Sequence, residues 1–195
     1  VFIIETEKGL TVSGNTSLTG SECLVIESGA TGTGNFIDNG SITYNSSATA
    51  KMELYITDDA YHYFSSPIYQ PSLSNFPTDF YTYDETNTST DRDDGWVQKT
   101  SGTVDAGVGY AVYYTGSSSQ TKEFTGTLNT GTVTVGVSNT SSGSSSDDGW
   151  NLIGNPYPSN IDADGFIDDN SSLLSSLSGG GNMTIYLWDQ SSAST

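Results

Sequence analysis

One stretch of this sequence occurs twice. Residues 58–67 match residues 147–156 at a constant offset of 89, and both stretches run from an Asp pair through aromatic and aliphatic residues to a proline. Phe76 and Phe166 follow the two prolines, and residues 81–85 correspond to residues 186–190. A repeat of this length predicts two copies of one structural unit. Residues 58–67 are called the first block below, and residues 147–156 the second block.

The second copy has a shorter continuation than the first. Strand-like segments around Trp96, Tyr110 and Phe124 follow the first block, and no counterparts follow the second. We therefore expect residues 141–195 to hold an incomplete copy, whose last strand offers an unpaired edge to more of its own chain or to another protein. The start at Val1, without Met or a signal peptide, likewise leads us to expect a piece of a longer protein.

The composition restricts the partners of the chain. Among 195 residues, 23 Asp and Glu oppose 5 Lys and Arg, which gives a net charge of −18 at pH 7. This charge repels nucleic acids and anionic lipid surfaces and attracts cations. No apolar run approaches the ~20 residues of a membrane span, so we expect no membrane insertion. Cys23 is the single cysteine, which excludes an intrachain disulfide, and its apolar surroundings predict a packing role.

The pattern of short segments predicts an all-β fold, because β-branched and aromatic residues alternate with Gly, Ser, Thr and Asn throughout. In residues 1–52, short clusters of apolar residues recur every ~10–14 residues. This spacing is typical of a β-solenoid or ladder, and a plain meander is the alternative. Residues 53–140 predict an antiparallel β-sandwich of roughly seven strands, including a hairpin that joins 123–128 to 132–137. Residues 141–195 would form the partial second sandwich unit.

One segment carries helix signals. Residues 162–177 contain apolar residues at helical spacing, with Asp, Asn and Ser as caps and three glycines after the end. We expect one or two short helical turns here rather than one continuous helix.

Catalytic constellations are weak in this sequence. His62 is the single histidine, and the second block has Asn151 in its place, which favours a packing role for His62 over a general base. No Ser-His-Asp order, phosphate loop or zinc spacing stands out. An acidic hydrolase would need two carboxylates facing each other across a cleft, whereas the Asp pairs lie on Gly-flanked turns. We therefore predict that the chain is not an enzyme.

Calcium binding fits some of these carboxylates better than catalysis does. Asp162, Asp164 and Asp168 supply oxygens around a Gly turn, and Ca²⁺ takes six to eight oxygen ligands. The closing Glu of an EF-hand is missing. The alternative is that these residues cap the helix that follows, and the sequence leaves both roles open.

Aromatic residues are numerous for so polar a chain, with 12 Tyr, 7 Phe and 3 Trp. Tyr61 and Trp150 occupy equivalent repeat positions, which predicts matched core positions. Tyr69, Tyr113 and Tyr114 are candidates for an exposed surface on which sugar rings could stack.

The second block and its continuation carry a family resemblance. Residues 149–162 read Gly-Trp-Asn-Leu-Ile-Gly-Asn-Pro-Tyr-Pro-Ser-Asn-Ile-Asp, and residues 185–189 read Ile-Tyr-Leu-Trp-Asp. This pattern resembles a large family of secreted surface proteins of Gram-negative bacteria that are exported by the type IX secretion route. Residues 61–67, 109–112 and 124–131 are similar to the same pattern. The resemblance implies a repetitive, extracellular, adhesin-like protein with a C-terminal sorting domain elsewhere, and it implies no catalytic residues.

These observations predict a non-catalytic, β-rich module of a large exported cell-surface protein, which serves display, adhesion or assembly as cargo of a type IX system. Its expected partners are the rest of its own chain and secretion-machinery or surface proteins. The alternative is a carbohydrate-binding module attached to a secreted polysaccharide-active enzyme, with glycans as partners.

Overall fold

Strands dominate the computed structural model, which describes residues 1–57, 59–87, 92–116, 118–140, 149–177 and 185–187. The all-β class predicted from the sequence is confirmed. The elements in chain order are β1 (Phe2–Ile4), β2 (Gly9–Val12), β3 (Thr16–Thr19), β4 (Leu24–Ile26), β5 (Ser28–Gly29), β6 (Gly32–Thr33), β7 (Asn35–Asp38), β8 (Ile42–Asn45), β9 (Ala50–Ile56), β10 (Ala60–Phe64), β11 (Phe80–Tyr83), β12 (Trp96–Gln98), β13 (Tyr110–Tyr114), β14 (Gln120–Gly126) and α1 (Ala163–Leu177).

The N-terminal residues form coils of a solenoid rather than a meander. Strands β1 and β4, β2 and β7, β3 and β8, and β4 and β9 pair in parallel. Parallel neighbours need a long connection between them, and here one complete coil of the solenoid provides it. Leu24 pairs with Ala50 at the same 26-residue offset that separates Gly9 from Asn35. The β5–β6 hairpin lies in the second coil and lengthens it.

Apolar side chains fill the interior of the solenoid. Ile4 and Ile26 lie at paired positions in β1 and β4, and both are buried. Leu10 and Phe36 are paired in the same way on β2 and β7. Such stacking of like residues from coil to coil explains why clusters of apolar residues recur along the sequence, because each coil must contribute to one continuous core.

Strand β9 belongs to both parts of the fold. It continues the parallel sheet β1-β4-β9 and pairs antiparallel with β14 along its whole length, from Ala50 with Gly126 to Ile56 with Gln120. Ala50 is buried in the solenoid core, whereas Ile56 is buried in the core of the second sheet. The predicted hairpin between 123–128 and 132–137 is wrong, because β9 takes the place of its second strand and residues 131–140 are described without a strand.

The second sheet is antiparallel, with the strand order β10-β13-β11-β12. Its inner face buries Phe80, Tyr110 and Val112. Phe64 joins this core to the solenoid core, since its ring lies 5.9 Å from Phe80 and 5.6 Å from Phe124 of β14. The two sheets therefore share a continuous aromatic and aliphatic interior.

The described part of the second copy differs from the first. Residues 149–162 carry no named strand, and Ile153 makes an isolated antiparallel bridge with Val108. The expected last strand falls partly on residues 188–190, which lie outside the described residues. Residues 185–187 are described without a strand.

Helix α1 is one continuous helix, so the prediction of short separate turns is wrong. Its polar side chains bond to carbonyls one turn earlier without interrupting the helix. Asn170 Nδ2 donates to the Phe166 carbonyl, and Ser175 Oγ donates to the Ser171 carbonyl. In the part of the chain that the structure describes, no helix is long and apolar enough to span a bilayer.

Candidate ligand-binding face

Aromatic side chains share the outer face of the second sheet. Because side chains alternate across a strand, Tyr61 and Tyr63 of β10 point away from the core that Phe64 enters. The register carries the same alternation into β11, β12 and β13. The resulting set is called the aromatic face, and among the described residues it consists of Tyr61, Tyr63, Tyr81, Tyr83, Trp96 and Tyr113.

One half of the aromatic face is built around a small residue. Ala111 of β13 pairs with Tyr63 on one side and with Tyr81 on the other. Tyr61 reaches across β13, so that its ring centroid lies 6.1 Å from that of Tyr81 on β11. The Tyr61 ring is also 5.0 Å from Tyr113, and the planes meet at 68° and 69°. Tyr61 thus makes edge contacts with one ring on β13 and one ring on β11.

The other half centres on Trp96. Its ring lies 5.6 Å from Tyr63 and 5.1 Å from Tyr83. Gly95 precedes the tryptophan, and an added methyl group there would lie 2.6 Å from the Tyr83 ring. Glycine is therefore needed at this position for the tyrosine to lie against the backbone.

Carboxylates border the Tyr61 half. Asp59 and Asp79 are both exposed. Tyr113 donates its hydroxyl to the Asp59 carbonyl at 3.4 Å and its backbone N–H to the Asp79 carbonyl at 2.9 Å. The charge of Asp59, followed by burial, raises the pKa of the Tyr113 phenol above its ordinary value. Burial, together with Tyr81 and Asp79, raises the pKa of Tyr61. The tyrosines therefore stay neutral hydrogen-bond donors at physiological pH.

The structure separates the three tyrosines predicted for sugar stacking. Tyr113 lies on the aromatic face. Tyr69 is 65% exposed on a loop, where its N–H donates to Thr127. Tyr114 is only 3% exposed, so its assignment to an exposed surface is wrong. The strand alternation turns it inward, and burial raises its pKa to about 12.

Tyr61 is the residue that the sequence comparison misplaced. The repeat predicted a core position, whereas the side chain is 43% exposed on the aromatic face. The alternation of Tyr61 and Tyr63 with His62 and Phe64 was the signal that could have placed it, because one of the two faces had to carry both tyrosines. His62 lies 6.1 Å from the ring of Tyr114, next to the core.

The proline ends of the two blocks meet in the fold. Asn129 is buried, and its Nδ2 donates to the Ser66 carbonyl at 2.9 Å and to the Pro156 carbonyl at 3.0 Å. Ser65 and Gly154 are equivalent repeat positions, and both bond to Gly107. An added methyl at Gly154 would lie 2.5 Å from the Ser65 Cβ, so this contact requires glycine.

The residues after Pro156 connect this junction to the solenoid. Phe36 of β7 donates its N–H to the Pro158 carbonyl, and Asn160 donates its N–H to Asn35 Oδ1 at 2.8 Å. A cavity of about 210 Å³ lies at the junction. It is smaller than the roughly 300–1,000 Å³ of most small-molecule sites. Its lining includes Asn35, Met52, Phe64, Phe124, Asn155 and Tyr157. The Pro-Tyr-Pro segment therefore acts as a scaffold element that joins the solenoid to both blocks.

Comparison with protein families matches one family along residues 1–195, described as Domain of unknown function (DUF8693). The chain belongs to this family. No curated protein and no solved structure gives a significant match. Membership of the DUF8693 family covers the solenoid, the second sheet and helix α1 together, so these elements form the unit that the family defines.

In this DUF8693 chain, the residues predicted for calcium lie at the start of helix α1. Asp162 Oδ1 accepts from the N–H groups of Asp164 and Gly165 at 3.1 and 3.2 Å, as an N-cap does. The Asp168 carbonyl accepts from Ser171 Oγ. Across the described residues, no three His, Cys, Asp or Glu side chains are grouped as metal ligands. Calcium binding stays a prediction.

Glu85 is a buried carboxylate at the border between the second sheet and the second block. Its oxygens accept from the N–H and hydroxyl of Thr140, from the Ser138 hydroxyl and from the Gly149 N–H, at 2.7 to 3.2 Å. Burial raises the pKa of Glu85, but these hydrogen bonds outweigh it, and the pKa lies below its ordinary value. The ionised carboxylate thus joins Ser138 and Thr140 to Gly149 of the second block.

Proposed function

We propose that the chain is a non-catalytic module of an exported extracellular protein, where its β scaffold serves display, adhesion or assembly. The observation that carries the proposal is strand β9 of the sheet β1-β4-β9-β14, which extends the solenoid sheet to β14 and places Ala50 in the solenoid core and Ile56 in the core of the second sheet. Because Phe64 and Phe76 pack against both cores, this scaffold fixes the second sheet, and with it the aromatic face, against the solenoid. The similarity of residues 149–162 to type IX cargo supports an extracellular location.

Protease shaving of intact cells of the encoding organism tests this proposal. Peptides from this chain should appear in the supernatant, and a cytoplasmic marker should stay intact. Deleting a type IX secretion gene should retain the protein inside the cell. Peptides released only after lysis, in both strains, would contradict an extracellular location.

Carbohydrate binding is a second candidate function, as a module attached to a secreted polysaccharide-active enzyme. The aromatic face favours it, because aromatic rings contact the apolar faces of sugar rings while their hydroxyls bond to sugar hydroxyls. A glycan array with the purified chain tests it. Signals that vanish when the chain is unfolded by urea would support this function, and an array without any signal would exclude it.

A further inference from the structure

We infer that Tyr61 is the stacking ring of a glycan subsite that holds one neutral pyranose unit, with Asp59, Asp79, Tyr81 and Tyr113 around it. This inference rests on carbohydrate binding, the second function above, and names its site and ligand class. It concerns the Tyr61 half of the aromatic face alone.

The geometry of the rings sets the size of the ligand. Tyr61 pairs with Tyr113 across β10 and β13 and is 43% exposed, so part of its ring can meet a ligand. Its neighbours Tyr81 and Tyr113 are inclined to it by 68° and 69°. These rings do not form a flat platform, on which several units of an extended chain would stack side by side. One sugar ring fits over Tyr61, between the two inclined neighbours.

The polar groups around Tyr61 match the chemistry of a pyranose. A pyranose has an apolar patch of C–H groups on its face and hydroxyl donors around its rim. The carboxylates of the exposed Asp59 and Asp79 accept such donors in charge-assisted hydrogen bonds. The phenols of Tyr81 and Tyr113 both donate and accept. The subsite thus combines one apolar surface with polar groups at its edge, which is the usual composition of a small-ligand site.

Charge decides between classes of glycan. The chain has a net charge of −18, and Asp59 and Asp79 add a local negative field. Uronic acids and sulfated sugars would be repelled. A basic peptide is the competing partner, but its ion pairs with exposed carboxylates would each contribute only about 0–1 kcal/mol. Contact with the Tyr61 ring needs no charge on the ligand, which favours a neutral sugar.

The test is titration calorimetry with neutral hexose oligosaccharides, chosen from the array signals, against the wild-type chain and two variants. Tyr61→Ala removes the proposed stacking ring. Tyr69→Ala is the matched control, because Tyr69 is even more exposed, at 65%, and lies outside the aromatic face. We expect at least about tenfold weaker binding for Tyr61→Ala and unchanged binding for Tyr69→Ala. Urea unfolding of each variant verifies that the fold is intact.

Further measurements distinguish a neutral sugar from a basic peptide as the ligand. Asp79→Asn keeps the shape of the side chain, and we expect about threefold weaker binding of a neutral sugar with little dependence on salt. Oligolysine that binds more tightly than any sugar, and loses its affinity at high salt, would overturn the inference in favour of a basic peptide. Wild-type affinity in Tyr61→Ala would overturn the subsite while leaving carbohydrate binding intact elsewhere. A chain that binds no glycan would overturn both.

Discussion

The first and second blocks begin alike in sequence and fold differently. Ala60–Phe64 forms strand β10 and pairs with β13 over its full length. The equivalent residues 149–153 meet the same part of the chain only through the bridge of Ile153 with Val108, just before β13. Strand β10 already pairs with one edge of β13. The second block therefore contacts only the residues that precede β13. Available neighbours, rather than local sequence, therefore decide which copy becomes a strand.

The two copies diverge further after their prolines. Phe76 enters the aromatic core, with its ring 5.6 Å from Phe64, 5.3 Å from Phe80 and 5.8 Å from Phe124. Its repeat counterpart Phe166 lies in helix α1 and is half-buried. What the copies retain in common is the proline end, where Asn129 holds both blocks.

The largest expected effect is a difference in stability between variants of Phe76 and Phe166, which occupy matching positions of the repeat. Phe76→Ala should lower the free energy of unfolding by about 3 kcal/mol, because it leaves a cavity among three aromatic rings. Urea unfolding followed by tryptophan fluorescence measures this. The matched variant Phe166→Ala should cost about 1 kcal/mol or less, since Phe76 packs against both hydrophobic cores whereas Phe166 belongs to neither of them. Equal losses in the two variants would mean that the copies are equivalent in the fold.

A second variant removes the hydrogen bonds by which Asn129 holds the proline ends of both blocks. Asn129→Ala should cost about 2 kcal/mol, because the Ser66 and Pro156 carbonyls would lose their donor in a buried site. Asn151→Ala is the control. The Asn151 amide also donates to two carbonyls, of Ser138 and Gly149, but it is exposed and water can replace it. A midpoint shift no larger than that of the control would show that the proline ends are not held through Asn129.

The smallest effect concerns the entry to the second block. The pKa of Glu85 in the folded chain lies below its unfolded value of about 4.3. Its contribution to stability is therefore fully present above that pH and is lost as the pH falls through the folded pKa. Glu85→Gln should cost about 1 kcal/mol at pH 7 and should reduce the loss of stability below about pH 4.

Urea midpoints measured from pH 7 down to pH 3 provide this comparison. Glu123→Gln serves as the control, because the exposed Glu123 pairs with Lys51 at the surface. A Glu85→Gln variant with the acid sensitivity of the wild type would show that Glu85 does not hold Ser138, Thr140 and Gly149 by its charge.

Much of the fold followed from local pattern. The recurring apolar clusters in residues 1–52 predicted the short strands of this region, which the structure shows as β1 to β8. Tertiary pairing determined the rest. Strand β14 pairs with the distant β9 rather than with its sequence neighbour, which no turn signal could show. Helix α1 runs without a break through several Ser and Asn residues, which composition does not reveal.

The candidate site was predicted only in part. Tyr113 was expected on a surface and lies on the aromatic face, but the same expectation failed for its neighbour Tyr114. Adjacent residues of a strand point to opposite faces, so only one of such a pair can be exposed on a one-sided sheet. Tyr61 was missed because repeat alignment assumed matched environments. The second block lacks a strand there, and the assumption does not hold.

Strand β9 has a consequence for the time course of folding. Its partner β14 is synthesised much later, and the ion pair between them, Lys51 with Glu123, spans 72 residues. Pairing so remote in the chain requires closure of a long loop before any contact forms, which slows folding. The solenoid coils can stack as soon as they emerge, but β9 keeps a bare edge until β14 arrives. In an exported chain, this edge of β9 would stay unpaired until β14 has reached it.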